Sequence, residues 1–251
     1  MPMSRTIRKL DRAIELGPQL VRKPGHVRQV LRGLHPGSLT TLDKPWLREL
    51  DFDVVLDVGA NTGQFAQVAR YVFPRARIFS FEPLPECVED ISRRMRGDAA
   101  FRVFASAVGS EDGTVTMHQS ASSPSSSILS MTEEHTSAFP WSEGGTDLEV
   151  AIHRLDHYLP EIELQGRVLL KIDVQGFAME VLRGATETLP LVDTVFIEAS
   201  FVQLYAGEAS FDDVYTFMKE AGFEFVGLLD QLEHPASRRS LQGDAIFRRR
   251  A

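Results

Sequence analysis

Cysteine is almost missing from this chain of 251 residues: Cys87 stands alone. A single thiol excludes an internal disulfide and a cysteine zinc cluster. Long apolar runs are missing too. No stretch approaches the roughly 20 apolar residues of a membrane helix. The basic N-terminus also lacks the continuous apolar core of a secretory signal, so no export route is expected and the cytoplasm is favoured. Basic residues are scarce beyond the first fifty positions. Ten of the 27 Lys and Arg, but only four of the 35 Asp and Glu, fall within residues 1–50. The remaining body is therefore acidic, which argues against a nucleic-acid substrate, because phosphate contacts need a broad basic face. No internal repeat is visible.

The composition that is present, 43% apolar and 25% charged, is that of an ordinary globular protein. Its length suits one sizeable α/β domain with a short appendage. Residues 1–50 read as that appendage, and residues 51–251 as the main domain. Ile7, Leu10, Ile14, Leu20, Val27, Val30, Leu31 and Leu34 recur at helical spacing, interrupted at Gly17-Pro18 and Pro24-Gly25. Two or three short helices are expected there, closed by Pro36-Gly37. They would pack on the main domain or build the contact of a homodimer. Their basic positions suit a solvated face or an anionic partner surface.

From residue 51 onward, strand and helix signals alternate. Val54 to Leu56 runs into Asp57 and a glycine turn, followed by helical spacing through Phe65, Val68, Ala69 and Val72. Ala76 to Phe81 ends at Glu82-Pro83, a helix follows with Val88, Ile91 and Met95, and Phe101 to Phe104 leads toward Ser106. Glu111-Asp112-Gly113-Thr114 reads as a hairpin turn before Val115 and Met117. Beyond a serine-rich loop over 120–130, strands are expected at 148–155, 168–172, 194–197, 223–229 and 244–247, with helices at 179–189 and 211–221. This pattern implies a doubly wound, Rossmann-like α/β fold with a seven-stranded, mostly parallel sheet closed by an antiparallel final strand. Such sheets bind ligands at the carboxyl ends of their strands.

The sharpest motif is Asp57-Val58-Gly59-Ala60-Asn61-Thr62-Gly63, running from strand to helix. Gly59 and Gly63 permit a tight turn and close approach of a ligand to the backbone, with Asn61 between them. A glycine turn alone would equally cradle a pyrophosphate. Asp57 tilts the choice, since a carboxylate there repels pyrophosphate and suits a cationic ligand. S-adenosylmethionine, with its sulfonium and ammonium groups, has that polarity. Glu82, followed by Pro83, ends the next strand 19 residues beyond Gly63, where an acidic side chain accepts ribose hydroxyl hydrogen bonds. That spacing serves dehydrogenases as well, so Glu82 points to a nucleoside without naming it.

The chain resembles the FkbM family of methyltransferases. The resemblance rests on residues 57–63, on Phe81-Glu82-Pro83 and on Ala107-Val108-Gly109. It continues through Arg154-Leu155-Asp156, Lys171-Ile172-Asp173-Val174-Gln175-Gly176, the block at 180–185 and Ile197-Glu198. These blocks occur in the family's order across about residues 52–248. The resemblance implies a class I methyltransferase fold, S-adenosylmethionine as cofactor and O-methylation of a sugar, glycan or natural-product hydroxyl. One departure stands out: Gln175 occupies a position where the family often carries Glu, which weakens any role there as a base or metal ligand.

An alcohol is a poor nucleophile near neutral pH, so a base or a divalent ion should assist it. Asp173 and Glu198, on neighbouring strand ends, are candidates for catalysis and for holding magnesium with hard oxygen ligands. Asp173 should also lie beside the cofactor, with Ser106. His153 is the first histidine candidate for the base and His118 the second. Lys171, two residues before Asp173, is placed to pair with a carboxylate. Asp156 would orient a histidine or cap the following helix. Tyr205, Phe201 and Trp141 are candidates to line an acceptor pocket, and the serine loop to act as a lid. Three rival readings remain open: a nicotinamide-dependent oxidoreductase, a non-catalytic cofactor-binding subunit, and a nucleic-acid methyltransferase. Asp57 and the absence of a catalytic tyrosine–lysine spacing oppose the first. The acidic body and the absence of an Asn-Pro-Pro-Tyr-like signature oppose the last.

Overall fold

The computed structural model describes residues 24–120, 126–139, 142 and 145–250. The expected helical pattern over residues 5–23, residues 121–125 of the serine loop and Trp141 lie outside the described residues. Helices α1 (Pro24–Leu31), α2 (Pro36–Leu42) and α3 (Pro45–Arg48) lead to β1 (Val54–Val58), α4 (Gln64–Val72), β2 (Arg77–Phe81), α5 (Pro85–Arg94) and β3 (Phe101–Phe104). Then come β4 (Ala107–Val108), β5 (Gly113–Ser120), α6 (Glu133–Ala138) and β6 (Gly145–His153). The chain continues through β7 (Val168–Ile172), α7 (Ala178–Arg183), β8 (Thr194–Ser200), α8 (Phe211–Glu220), β9 (Phe223–Glu233) and β10 (Ser240–Arg249).

Seven strands form one sheet in the order β3-β2-β1-β7-β8-β10-β9. Pairing is parallel from β3 to β8, whereas β10 runs antiparallel to both β8 and β9. The short central strands are apolar on both faces because both are covered. On one face Val55, Leu169, Phe196 and Ile246 join Ala66, Val68, Ala69 and Val72 of α4, with Leu39, Leu42 and Leu47 of α2 and α3. On the other face Leu56, Leu170, Val195 and Phe247 meet Val181 and Leu182 of α7 and Val214 and Met218 of α8. From β1 the chain winds outward to β2 and β3, then returns to β7 on the other side of β1. The strand order therefore switches between β1 and β7, and a crevice opens there in folds of this kind.

Four local expectations need correction. Pro36-Gly37 opens α2 instead of closing the helical region: proline is tolerated in a first turn, and the His35 ring accepts the Ser38 N–H at 3.3 Å. The segment expected as strand to Leu155 ends at His153, and Leu155–Tyr158 is a 3-10 turn. The helix expected over 179–189 is α7 alone, halted at Gly184, whose missing Cβ would sit 1.9 Å from the Gly109 carbonyl oxygen. Asp156 neither orients a histidine nor caps its own turn. Its buried carboxylate accepts the Glu187 and Thr188 N–H groups and the Thr186 and Thr188 hydroxyls. Finally, β4, β6 and β5 make a separate three-stranded sheet, which packs Met117 and Val150 against Cys87 of α5.

Candidate active site

The switch point is built by two glycine-dependent contacts. Gly59 has φ +76°, and a Cβ there would lie 1.8 Å from the Asp173 carbonyl oxygen, so only glycine lets the ends of β1 and β7 come this close. Gly63, at φ +80°, has Ile91 Cγ1 at 2.5 Å from where a Cβ would be, which seats the start of α4 on α5. Between them Asn61 is also left-handed, at φ +48°, and its Oδ1 accepts the Thr62 N–H at 2.7 Å. That local bond is what makes the conformation accessible to asparagine.

Parallel register decides which side chains meet at this point. Asp57 lies opposite Ser80 on β2 and Lys171 on β7, and partners in register share a face. Lys171 Nζ is 3.1 Å from Asp57 Oδ1 and 3.5 Å from Asp173 Oδ2, and it donates to the Gly59 carbonyl at 2.9 Å. The Ser80 hydroxyl donates to Asp57 Oδ2 at 3.3 Å. Asp57 is wholly buried. Burial raises its carboxyl above the ordinary value, against the pull of Lys171. Burial alone would lower Lys171, but the charges of Asp57 and Asp173 hold it above the usual lysine value, so it stays an ammonium.

Glu82 extends the same row. Its Oε2 accepts the Asn61 N–H at 2.8 Å and its Oε1 the Leu84 N–H at 2.9 Å, which fixes the carboxylate against the glycine turn and leads the chain into Pro83 and α5. Burial nonetheless pushes it up to about 7. Ser106 is engaged within the protein: its hydroxyl bonds to the Ala107 carbonyl at 2.7 Å and the Ala151 carbonyl at 3.2 Å.

Asp173 and Glu198 are brought together through one side chain. The Gln175 amide donates to Asp173 Oδ1 at 3.1 Å and to Glu198 Oε1 at 2.8 Å, while its oxygen accepts from the Tyr205 hydroxyl at 2.7 Å. Gln175 is itself left-handed at φ +51°, and its carbonyl accepts the Ser127 hydroxyl at 2.6 Å, so the described end of the serine loop is tied to the site. Glu198 is raised well above the usual carboxyl value, by burial first and then by Asp173 and Asp244. Burial also raises Tyr205, leaving it a neutral donor. The Gln175 amide nitrogen stands between Asp173 Oδ1 and Glu198 Oε1, so a magnesium ion held between these two oxygens would have to displace it.

The histidine candidates fall elsewhere. His153 lies on the small sheet, stacked on His157 and 3.4 Å from Asp112. His118 pairs across the antiparallel β5 and β6 with Asp147 at 2.7 Å. No contact among the described residues joins either to Asp173 or Glu198. Phe201 is partly exposed, packing against Phe211 and near Gly243. Sequence reasoning passed over His135. It is buried against Tyr205 with ring centroids 4.9 Å apart, and no motif marks it.

Four carboxylates, Asp57, Glu82, Asp173 and Glu198, thus face one ammonium at the switch point. This acid-rich surface, whose raised carboxyl groups a neighbouring cation would help to ionise, lies beside a turn whose glycines open the backbone, and it fits a cationic nucleoside and does not fit a pyrophosphate. No helix among the described residues is long and apolar enough to cross a membrane.

Comparison with known proteins agrees with this geometry. Residues 57–225 match the methyltransferase FkbM domain. The 2-O-methyltransferase NoeI of Sinorhizobium fredii is 26% identical over 234 residues, covering 91% of this chain and 88% of that protein. The 31-O-demethyl-FK506 methyltransferase FkbM of Streptomyces tacrolimicus is 25% identical over 201 residues, covering 72% and 76% respectively. A crystal structure of a methyltransferase FkbM from Methylobacillus flagellatus superimposes over 93% of this chain with a TM-score of 0.51 and 14% identity, which speaks to fold alone. This chain spans 60% of the length of that structure's chain. The chain belongs to the FkbM family of methyltransferases, enzymes that take their methyl group from S-adenosylmethionine.

Proposed function

We propose that this enzyme methylates a hydroxyl group of a sugar, glycan or natural product. The observation that carries the reading is the Asp173–Gln175–Glu198 bridge beside the charge-rich glycine turn. It sets a base of raised proton affinity next to the place where the donor's cationic end would be neutralised. Asp57, Gly59, Asn61, Gly63 and Glu82, with Pro83 shaping the exit of β2, would hold the donor. Asp57 acts through the field it shares with Lys171, and Glu82 through the carboxylate lone pairs its two backbone bonds leave over. When bound, S-adenosylmethionine supplies an electrophilic methyl group.

The protein's part is to align the acceptor and take its proton. Asp173, the more exposed of the two carboxylates, accepts the hydroxyl hydrogen bond and orients the oxygen. Glu198 receives the proton, because its raised proton affinity brings it nearer to an alcohol in water at neutral pH. Gln175 keeps both carboxylates in one geometry, and Tyr205 keeps the amide from turning over. The names of the two relatives, each an O-methyltransferase, support a hydroxyl acceptor.

Calorimetric titration with S-adenosylhomocysteine and with NAD, with and without magnesium, tests the donor half. Micromolar binding of the first and none of the second is expected, with no gain from magnesium. Mass-spectrometric detection of a 14 Da gain across a panel of glycosides and polyhydroxylated natural products tests the acceptor half. Binding without turnover on any hydroxylated acceptor, or turnover on amines only, would reject the O-methylation reading.

A further inference from the structure

We propose that Asp112, His153 and His157 form a binding site for a divalent transition-metal ion, zinc foremost, separate from the methyl-transfer centre. Asp112 sits in the turn before β5, His153 ends β6, and His157 lies on the 3-10 turn that follows. One ligand atom from each of the three falls within 4.8 Å of the other two. The two imidazoles stack with centroids 4.4 Å apart and planes 18° apart, which turns the same edge of each toward the carboxylate. His153 Nδ1 is 3.4 Å from Asp112 Oδ1, and His157 Nδ1 is 3.9 Å from Asp112 Oδ2.

These separations are long for direct hydrogen bonds. They are close to those a metal imposes: with tetrahedral bonds of about 2.0–2.1 Å, a nitrogen and an oxygen ligand stand roughly 3.3 Å apart. The His153 pair has that spacing through Oδ1, whereas His157 approaches Oδ2; near-parallel rings send their in-plane lone pairs side by side, so an ion binds as the exposed His157 ring rotates out of the stack to aim its Nδ1 at it. A second observation points the same way. His153 Nδ1 is shut off from solvent and makes no hydrogen bond of proper geometry, and a buried ring nitrogen left in that state calls for an ion or a water.

The carboxylate is held in place independently, because its Oδ1 accepts the Arg154 N–H at 2.9 Å. Among the described residues the opposing charge beside it is the Arg154 guanidinium, with Nε 3.8 Å from Oδ2; its side chain is exposed. Two imidazoles and one carboxylate are borderline ligands that favour zinc, nickel or copper over magnesium. Three protein ligands leave one position for water. Such an ion would tie the start of β5 to the end of β6 and to the turn that carries Tyr158 into the core beside Phe81 and Phe104.

The test uses the full chain, free of any histidine tag and stripped with chelator, titrated with zinc by calorimetry and with cobalt by absorption. One equivalent of zinc should bind, cobalt should give visible d–d bands of a low-coordinate site, and zinc should raise the melting temperature. Asp112→Asn and His157→Ala alter exposed side chains, so the fold should survive. Each should weaken zinc at least tenfold and abolish the cobalt bands. His118→Ala, at the other histidine–aspartate contact of the small sheet, should leave both unchanged. The absence of one-equivalent binding, or unchanged zinc affinity in both Asp112→Asn and His157→Ala, would overturn the proposal.

Discussion

Glu82 offers the most demanding check on the physical reasoning. Its carboxyl, ordinarily near 4.5, is pushed up to about 7 because burial outweighs two backbone hydrogen bonds. The folded protein therefore holds a proton here that the unfolded chain has released. For a group whose folded value is raised, the favourable contribution is complete below about pH 4.5 and is lost as pH rises through 7. A shift of that size corresponds to roughly 3 kcal/mol, withdrawn between about pH 5 and pH 8.

Glu82→Gln removes the titration. It also sacrifices one acceptor, because the amide oxygen can serve only one of the Asn61 and Leu84 N–H groups well, at about 1–3 kcal/mol. The variant should be the less stable protein at pH 5 by about that amount. By pH 8 the gap should close or reverse, since only the wild type has lost the roughly 3 kcal/mol. Denaturant unfolding of both proteins at unit pH intervals from 5 to 8, without cofactor, measures the difference directly. A gap that stays constant across this range would refute the assignment of a raised carboxyl to Glu82.

The other substitutions probe neighbouring parts of the same cluster. Lys171→Met strands the buried Asp57 carboxylate and should cost about 3–5 kcal/mol in unfolding free energy; adding Asp57→Asn should recover part of it. Gly59→Ala places a methyl group against the Asp173 backbone at a positive φ and should lose upwards of about 4 kcal/mol, seen as insoluble or early-melting protein. Glu198→Gln should lower turnover by about 10²–10⁴-fold while leaving S-adenosylhomocysteine affinity within about twofold, as calorimetry and initial rates would show. In the wild type, turnover should rise with pH as Glu198 loses its proton, and a pH–rate profile without that ascending acid-side limb would count against it.

What the sequence made legible was what short-range chemistry enforces. The glycine turn, the acid that ends β2 and the apolar strands could be read because φ-restricted turns and doubly buried strands admit few residue types. The Lys171–Asp57 pair was half visible, since alternation along β7 placed Lys171 and Asp173 on one side. The small sheet was not visible, because the short β4 pairs with β6 across more than forty intervening residues and alternation does not name a partner. Asp156 was misread for a related reason: an acid before a turn looks like a cap, whereas its partners are the N–H and hydroxyl groups of residues 186–188. The Gln175 amide appeared only as a missing charge. Its use as a bridge depends on three side chains from two separate loops and a strand end, which no linear spacing encodes. His153 and His157 are four residues apart, an interval that carries no signal when one residue ends a strand and the other lies on a 3-10 turn.

The place of β10 in the sheet has a consequence for how the molecule is made. This strand, synthesised after both of its neighbours, is inserted between β8 and β9 and supplies the hydrogen-bonding edge for both. Until residues 240–249 are complete, β8 presents an open parallel edge and β9 has no neighbour in the sheet. Domains tend to fold from the N-terminal side during synthesis, and exposed strand edges invite association with other chains. The N-terminal half of the sheet, with its glycine turn, can therefore be assembled while Glu198 still lies on an unfinished edge. Closing that edge is a late, long-range step, and a ribosome-stalled chain lacking β10 should be far more prone to aggregate than one ten residues longer.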